Sequence, residues 1–186
     1  MNRLLHRLLP ALTLGALLLA ASLPAAALDS VLLEFGTSDG DEDADRYGVA
    51  ARFDLGVNWL HTGDWHLGSY VEASVAYWDG RNGTTGDDSL VDFGVTPVLR
   101  WQRDPAKGIA PFVEFGVGAH VHTENGISDE DFDIPFAFGT LVGLGLRFGD
   151  QGRYELVYRY QHLSNAGLGD ENPGINFPVV QLGYHF

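Results

Sequence analysis

The sequence contains no cysteine. Disulfides are therefore excluded, and so is any zinc or iron–sulfur centre built on thiolates. Basic residues are scarce: 11 Lys and Arg stand against 25 Asp and Glu, a formal net charge of −14. A nucleic-acid binder carries a basic surface, so that partner class is excluded as well. After the first segment there is no long apolar run of the kind a transmembrane helix needs. Yet 45% of the 186 residues are hydrophobic, too many for a disordered chain and enough for one domain.

The beginning of the chain reads as a secretory signal peptide over residues 1–27. Arg3 and Arg7, with His6, form the positive start, and Leu8 to Leu23 is the apolar stretch. Ala25-Ala26-Ala27 is a small-residue cleavage site, which places the cut before Leu28. The exported part, 28–186, is then either a soluble periplasmic protein or an outer-membrane barrel.

That part alternates with period 2. Tyr47, Val49, Ala51, Phe53, Leu55, Val57 and Trp59 fall on one face, and Gly48, Ala50, Arg52, Asp54, Gly56 and Asn58 on the other. Similar runs begin near Val31, Trp65, Val91, Ile109, Phe136, Tyr154 and Pro178. Period 2 means strands, and there are eight. They run about 10–14 residues, against about 5–6 in soluble proteins, and a membrane-crossing strand needs about 9–11. Aromatic residues close the apolar faces, as in an interfacial girdle. The opposite faces carry Gly, Ser and charge, as a narrow filled lumen requires. Arg52, Arg100, Arg147 and Arg159 are expected to pair there with Glu34, Asp54, Glu72, Asp92 and Glu114. A soluble lipocalin-like barrel would invert the faces. Strand length, the Gly-rich minor face and a last strand ending on Phe186 favour an all-β, eight-stranded antiparallel transmembrane barrel of the bacterial outer membrane.

Connections alternate between short and long. The short ones, at 61–64, 103–108 and 149–151, are assigned to the periplasm, and the long ones, at 37–46, 79–89, 123–134 and 165–175, to the outside. The long loops collect Asp39, Asp41, Glu42, Asp43, Asp45, Asp87, Asp88, Glu124, Asp129, Glu130, Asp131, Asp133, Asp170 and Glu171. These read as a solvated acidic rim, the alternative being divalent cations that bridge to lipid phosphates. His120 and His122 share a lumen face with Glu114, and packing in the lumen is the expected role rather than a metal site.

Chemistry concentrates at the end of the seventh strand. His162 and Ser164, two apart, share the lipid-side face with Leu156, Tyr158 and Tyr160. A hydroxyl beside an imidazole is a nucleophile with its base, and a polar pair facing lipid is costly unless used. Asn165-Ala166-Gly167 follows, with backbone N–H groups and an amide side chain suited to an oxyanion hole.

His162-Leu163-Ser164-Asn165-Ala166-Gly167, then Pro173-Gly174-Ile175, then a last strand with a terminal aromatic, resembles the lipid A 3-O-deacylase (PagL-like) family. The resemblance is specific over the last 30 or so residues. It implies an outer-membrane ester hydrolase that removes the 3-O-linked acyl chain of lipid A in lipopolysaccharide, without metal or other cofactor. The site would face the outer leaflet. Ser164 would be the nucleophile, His162 the base, and Asn165 and Gly167 the oxyanion-hole positions. The family pattern has a Glu where this chain has Asn176. Parity puts Asn176 on the face of Ser164 and His162, so it is the expected third member. Asp170 or Glu171 is the alternative acid. The implied partners are lipid A and the membrane, with a homodimer left open. The competing readings are a noncatalytic barrel of structural or adhesive role and a broader phospholipase-like esterase.

Overall fold

Strict alternation gives every strand a polar and an apolar face, and a sheet of such strands can hide its polar face by closing on itself. The computed structural model describes residues 28–39, 44–81 and 87–186. The expected signal peptide and the acidic residues Asp41, Glu42 and Asp43 lie outside them. Eight antiparallel strands form a closed barrel: β1 (Ser30–Thr37), β2 (Ala44–Thr62), β3 (Trp65–Gly80), β4 (Ser89–Arg103), β5 (Ala110–His122), β6 (Phe136–Phe148), β7 (Tyr154–Ser164) and β8 (Ile175–His185). Each pairs with its chain neighbours, and β1 closes on β8 through the Ser30–His185 to Gly36–Val179 register. A two-residue ladder, Gly126–Ile127 with Glu130–Asp131, folds within the loop after β5.

Exposure decides which face is inside. Val142 and Leu144 are 59% and 60% exposed, whereas Arg100 and Glu114 are each 3% exposed. An apolar outer wall around a charged lumen belongs in lipid; the soluble alternative would need the reverse. The strands are longer than expected near the short turns, and β2 reaches 19 residues. Two irregularities allow this. Leu55 and Gly56 are extra residues opposite the Tyr70–Ser69 step of β3, and a second register shift lies between Trp59 and Thr62. The double insertion leaves parity intact, so Val57 and Trp59 stay on the outer side.

The lumen is filled by a ring of charge. Arg52 bridges Glu72 and Glu155; Arg100 bridges Glu155 and Glu114; Arg159 bridges Glu114 and Glu72. Three guanidinium and three carboxylate groups alternate and close. Contacts such as Arg159 Nη1 to Glu72 Oε1 and Arg159 Nε to Glu114 Oε1, both 2.6 Å, are charge-assisted hydrogen bonds. Tyr70 sits among them: its hydroxyl donates to Glu114 at 2.8 Å and accepts from Arg159 at 3.0 Å. The sequence expectation is right about Arg52, Arg100, Arg159, Glu72 and Glu114; Glu34 and Asp92 pair with Arg46 instead, and Arg147 and Asp54 form no ion pair among the described residues. Arg147 donates to the Gly152 carbonyl, and Asp54 accepts from Gly56 N–H beside the β2 irregularity. Glu155, near the start of β7, is the member that sequence reading overlooked. Gly143 on β6 makes room for the ring, since a Cβ there would lie 2.9 Å from Arg159 Cγ.

Toward the long-loop end a second polar layer follows. Arg46 pairs with Glu34 at 3.2 Å and donates to Gln161 Oε1 at 2.7 Å. Gln161 Nε2 donates to His120 Nε2 at 3.2 Å, so His120 donates from Nδ1 to Asp92 at 3.0 Å. His122 Nε2 lies 3.4 Å from the same carboxylate. Glu114 does not join the two histidines, being committed to the ring. Above this layer an apolar plug of Trp78, Leu90, Ile127, Phe132, Leu163, Ile175 and Phe177 seals the lumen. Ile127 and Phe132 come from the loop after β5, which is thereby folded inward.

Removing one carboxylate from the ring leaves two buried guanidinium groups short of charge. Glu155→Ala should therefore lower unfolding stability by about 3–5 kcal/mol, measured as the denaturant midpoint of the refolded barrel in lipid vesicles.

Candidate active site

The long-loop end of β7 and β8 carries a polar row on an otherwise apolar wall. His162 and Asn176 are direct cross-strand partners. His162 Nδ1 lies 2.8 Å from Asn176 Oδ1. An amide oxygen can only accept, so Nδ1 carries the ring proton. In the neutral ring, Nε2 then has the lone pair and is the basic atom. Across the other edge of β7, Thr140 is the partner of His162 and Phe138 that of Ser164. His162 is exposed on the outer wall, while Ser164 and Asn176 are half-buried.

Gly174 closes the site from the loop side. Its φ of +72° belongs to the left-handed region, and a Cβ there would lie 2.9 Å from His162 Cε1 and 3.5 Å from Ser164 Cβ. The imidazole edge and the serine thus converge on the same point over this glycine. Any side chain at 174 would displace the ring and strain the backbone at once.

The loop between β7 and β8 is held by one buried amide. Asn165, 2% exposed, donates from Nδ2 to Phe132 O at 3.0 Å and to Glu171 O at 2.6 Å. Its Oδ1 accepts from Gly167 N–H at 2.8 Å, an Asx-type turn in which Ala166 and Gly167 have φ of 55° and 76°. Its own N–H donates to Asn172 Oδ1 at 2.9 Å. Sequence reading makes Asn165 and Gly167 free donors for an oxyanion. The structure instead engages both inside the loop, because a loop without strand partners must satisfy its polar groups locally. Phe132 ties this brace to the apolar plug, so the loop's position follows from lumen packing.

The alternative acids are engaged through their main chain, and both side chains are exposed. Asp170 N–H donates to Asp133 Oδ2 at 2.7 Å, and Glu171 contributes its carbonyl to Asn165. Among the described residues, neither carboxylate is hydrogen-bonded to His162; Asn176 is. Three participants escape sequence reading: Asn172, Gly174 as a contact, and Asp39. The Asp39 N–H donates to Asn176 O at 3.1 Å, and its carboxylate accepts from Tyr160 OH at 2.8 Å. Parity along β1 would have put Asp39 on the outer face, but only the β1–β8 closure puts it beside Asn176.

Comparison with known proteins bears on this arrangement. The family model described as "Lipid A 3-O-deacylase (PagL)" matches residues 45–185. The lipid A deacylase PagL of Bordetella bronchiseptica is 30% identical over 141 residues, 74% of each chain. That of Pseudomonas aeruginosa is 27% identical over 171 residues, covering 92% of this chain and 94% of its own. A crystal structure of the outer membrane enzyme PagL superposes with a TM-score of 0.75 at 23% identity, covering 84% of this chain and 99% of that one, a likeness of fold. With a family match over most of its length and a barrel of the same architecture, this chain belongs to the lipid A 3-O-deacylase (PagL) family of outer-membrane ester hydrolases.

Proposed function

We propose that this protein removes the 3-O-linked acyl chain of lipid A, with Ser164 as nucleophile and His162 as general base. The observation that carries the reading is the His162–Asn176 hydrogen bond, which leaves the Nε2 lone pair free on the lipid-facing wall that His162 shares with Ser164. Ser164 Oγ attacks the ester carbonyl carbon as His162 Nε2 takes the hydroxyl proton. The tetrahedral intermediate collapses and expels the sugar oxygen, which receives that proton, leaving acyl-Ser164. Water then attacks the acyl group, again losing a proton to Nε2. The fatty acid departs and Ser164 regains its proton. The 165–167 turn serves the oxyanion by exchanging one of its internal acceptors for the substrate oxygen.

The site's place supports the substrate. An ester beside the acyl chains of the outer leaflet reaches His162 and Ser164 from the lipid side, without entering the plugged lumen. With both termini and the short turns periplasmic, the 165–174 loop lies outside. An Asn at position 176 orients the imidazole but brings no full charge to stabilise the imidazolium.

Three measurements check this. A Cys replacing Asp87 should be labelled on intact cells by an impermeant reagent, and one replacing Gly63 should not; the opposite result reverses the orientation. Ser164→Ala should insert normally and leave lipid A intact by mass spectrometry of expressing cells, and retained deacylation would refute the nucleophile. Asn176→Ala should lower activity about 10- to 100-fold without loss of folding, since a freely rotating imidazole loses its bias toward the productive tautomer. Asn176→Glu should raise activity by about three- to tenfold in the same assay, by adding charge.

A further inference from the structure

Around the outer wall at the height of His162, the β1–β8 closure lines up four residues from consecutive strands: Asp39, Asn176, His162 and Thr140. Asp39 lies just past β1 in the same register that pairs Gly36 with Val179, and its N–H holds the Asn176 carbonyl at 3.1 Å. It shares parity with the outward Leu33, Phe35 and Thr37. Among the described residues, the outward strand neighbours of His162 are uncharged: Ser164 and Tyr160 on β7, Asn176 and Pro178 on β8, Thr140 and Phe138 on β6; the acidic residues of the adjoining loop, Asp170 and Glu171, are exposed. A carboxylate on this wall is half-buried and partly desolvated, and here it is held by the Tyr160 hydroxyl at 2.8 Å. Tyr160 is two residues before His162 and points to the same side, so the hydroxyl fixes the carboxylate along the row that contains the imidazole.

We infer that Asp39 is the carboxylate of this active site, a positioning residue whose charge, held in place by Tyr160, acts on His162 across the intervening strand β8. This rests on the Ser164–His162 reading above. Position 176 provides direction for the ring, and Asp39 provides the negative charge that an amide lacks. Two strand spacings, about 10 Å, separate Asp39 from His162. Across a lipid-facing surface a charge at that distance is weakly screened, and it favours the imidazolium formed as Ser164 loses its proton by about tenfold. The sequence contains this residue among the acidic loop positions, where it looks like one more solvated carboxylate.

The test is steady-state kinetics of the purified full barrel on lipid A in detergent micelles, with insertion checked by the faster migration of the folded form on unheated gels. Asp39→Asn should lower kcat about tenfold with KM nearly unchanged. Asp39→Glu should keep most of the activity. Asn176→Glu should restore Asp39→Asn to within a few-fold of the parent, and should gain less where Asp39 is present, because two adjacent carboxylates repel. A wild-type kcat in Asp39→Asn, or a loss confined to KM, overturns the inference. If Asp39→Asn fails to insert, Tyr160→Phe decides: it keeps the charge but releases its tether, so an unchanged kcat overturns the inference and a reduced one supports it. Activity surviving in Ser164→Ala would instead remove the underlying reading, whatever Asp39 does.

Discussion

Everything in this barrel depends on placing charge inside a tube that is wrapped in hydrocarbon. Three arginines and three glutamates in the lumen have no bulk water to retreat to, and their alternating ring is the arrangement in which each cation meets two anions and each anion two cations. Coulomb attraction at these distances offsets desolvation only when every member is present. The ring draws on β2, β3, β4, β5 and β7, so closing it fixes the mutual rotation of those strands. A slip of one residue in any register would turn a charge out into lipid.

Above the ring, polarity falls away in steps. Arg46, Glu34, Gln161, Asp92 and His120 form a hydrogen-bonded layer, and Trp78, Phe177, Ile127 and Phe132 close the end. The plug has a consequence beyond sealing the tube. Phe132 inserts its side chain into the lumen, and its carbonyl receives the Asn165 amide. The loop next to Ser164 is therefore braced against the barrel interior, although the candidate chemistry faces outward. Inside and outside are coupled through one phenylalanine and one asparagine.

The candidate active-site row shows how the outer wall tolerates polar groups. His162 and Asn176 satisfy each other across a strand pair, and Asp39 and Tyr160 do so over the intervening strand β8. Each pairing reduces the cost of exposing a polar group near lipid, and each also limits the directions in which the reactive atoms can point. An ester hydrolase acting on a membrane lipid is approached laterally by a substrate that never leaves the leaflet, so polar groups on this wall must be held without water to satisfy them.

Alternation, strand number, the inward charge of Arg52, Glu72, Arg100, Glu114 and Arg159, and the shared face of His162, Ser164 and Asn176 were all legible in the sequence. Period 2 assigns faces without any knowledge of partners. Which face lay inside was not a matter of period, and exposure in the closed barrel decided it. Nor could parity show that Arg147 and Asp54 would leave the ion network, because the β2 bulge and the turn after β6 bend them away. The loop residues were the least legible. Asn165 and Gly167 have the chemistry of oxyanion donors, yet Gly167 bonds to Asn165 within the loop, and Asn165 reaches Phe132, a residue of another loop that only the fold brings near. Asp39 is the clearest case. Its face follows from counting along β1, but its neighbour is Asn176, 137 positions later, and only closure of the first strand on the last brings them together.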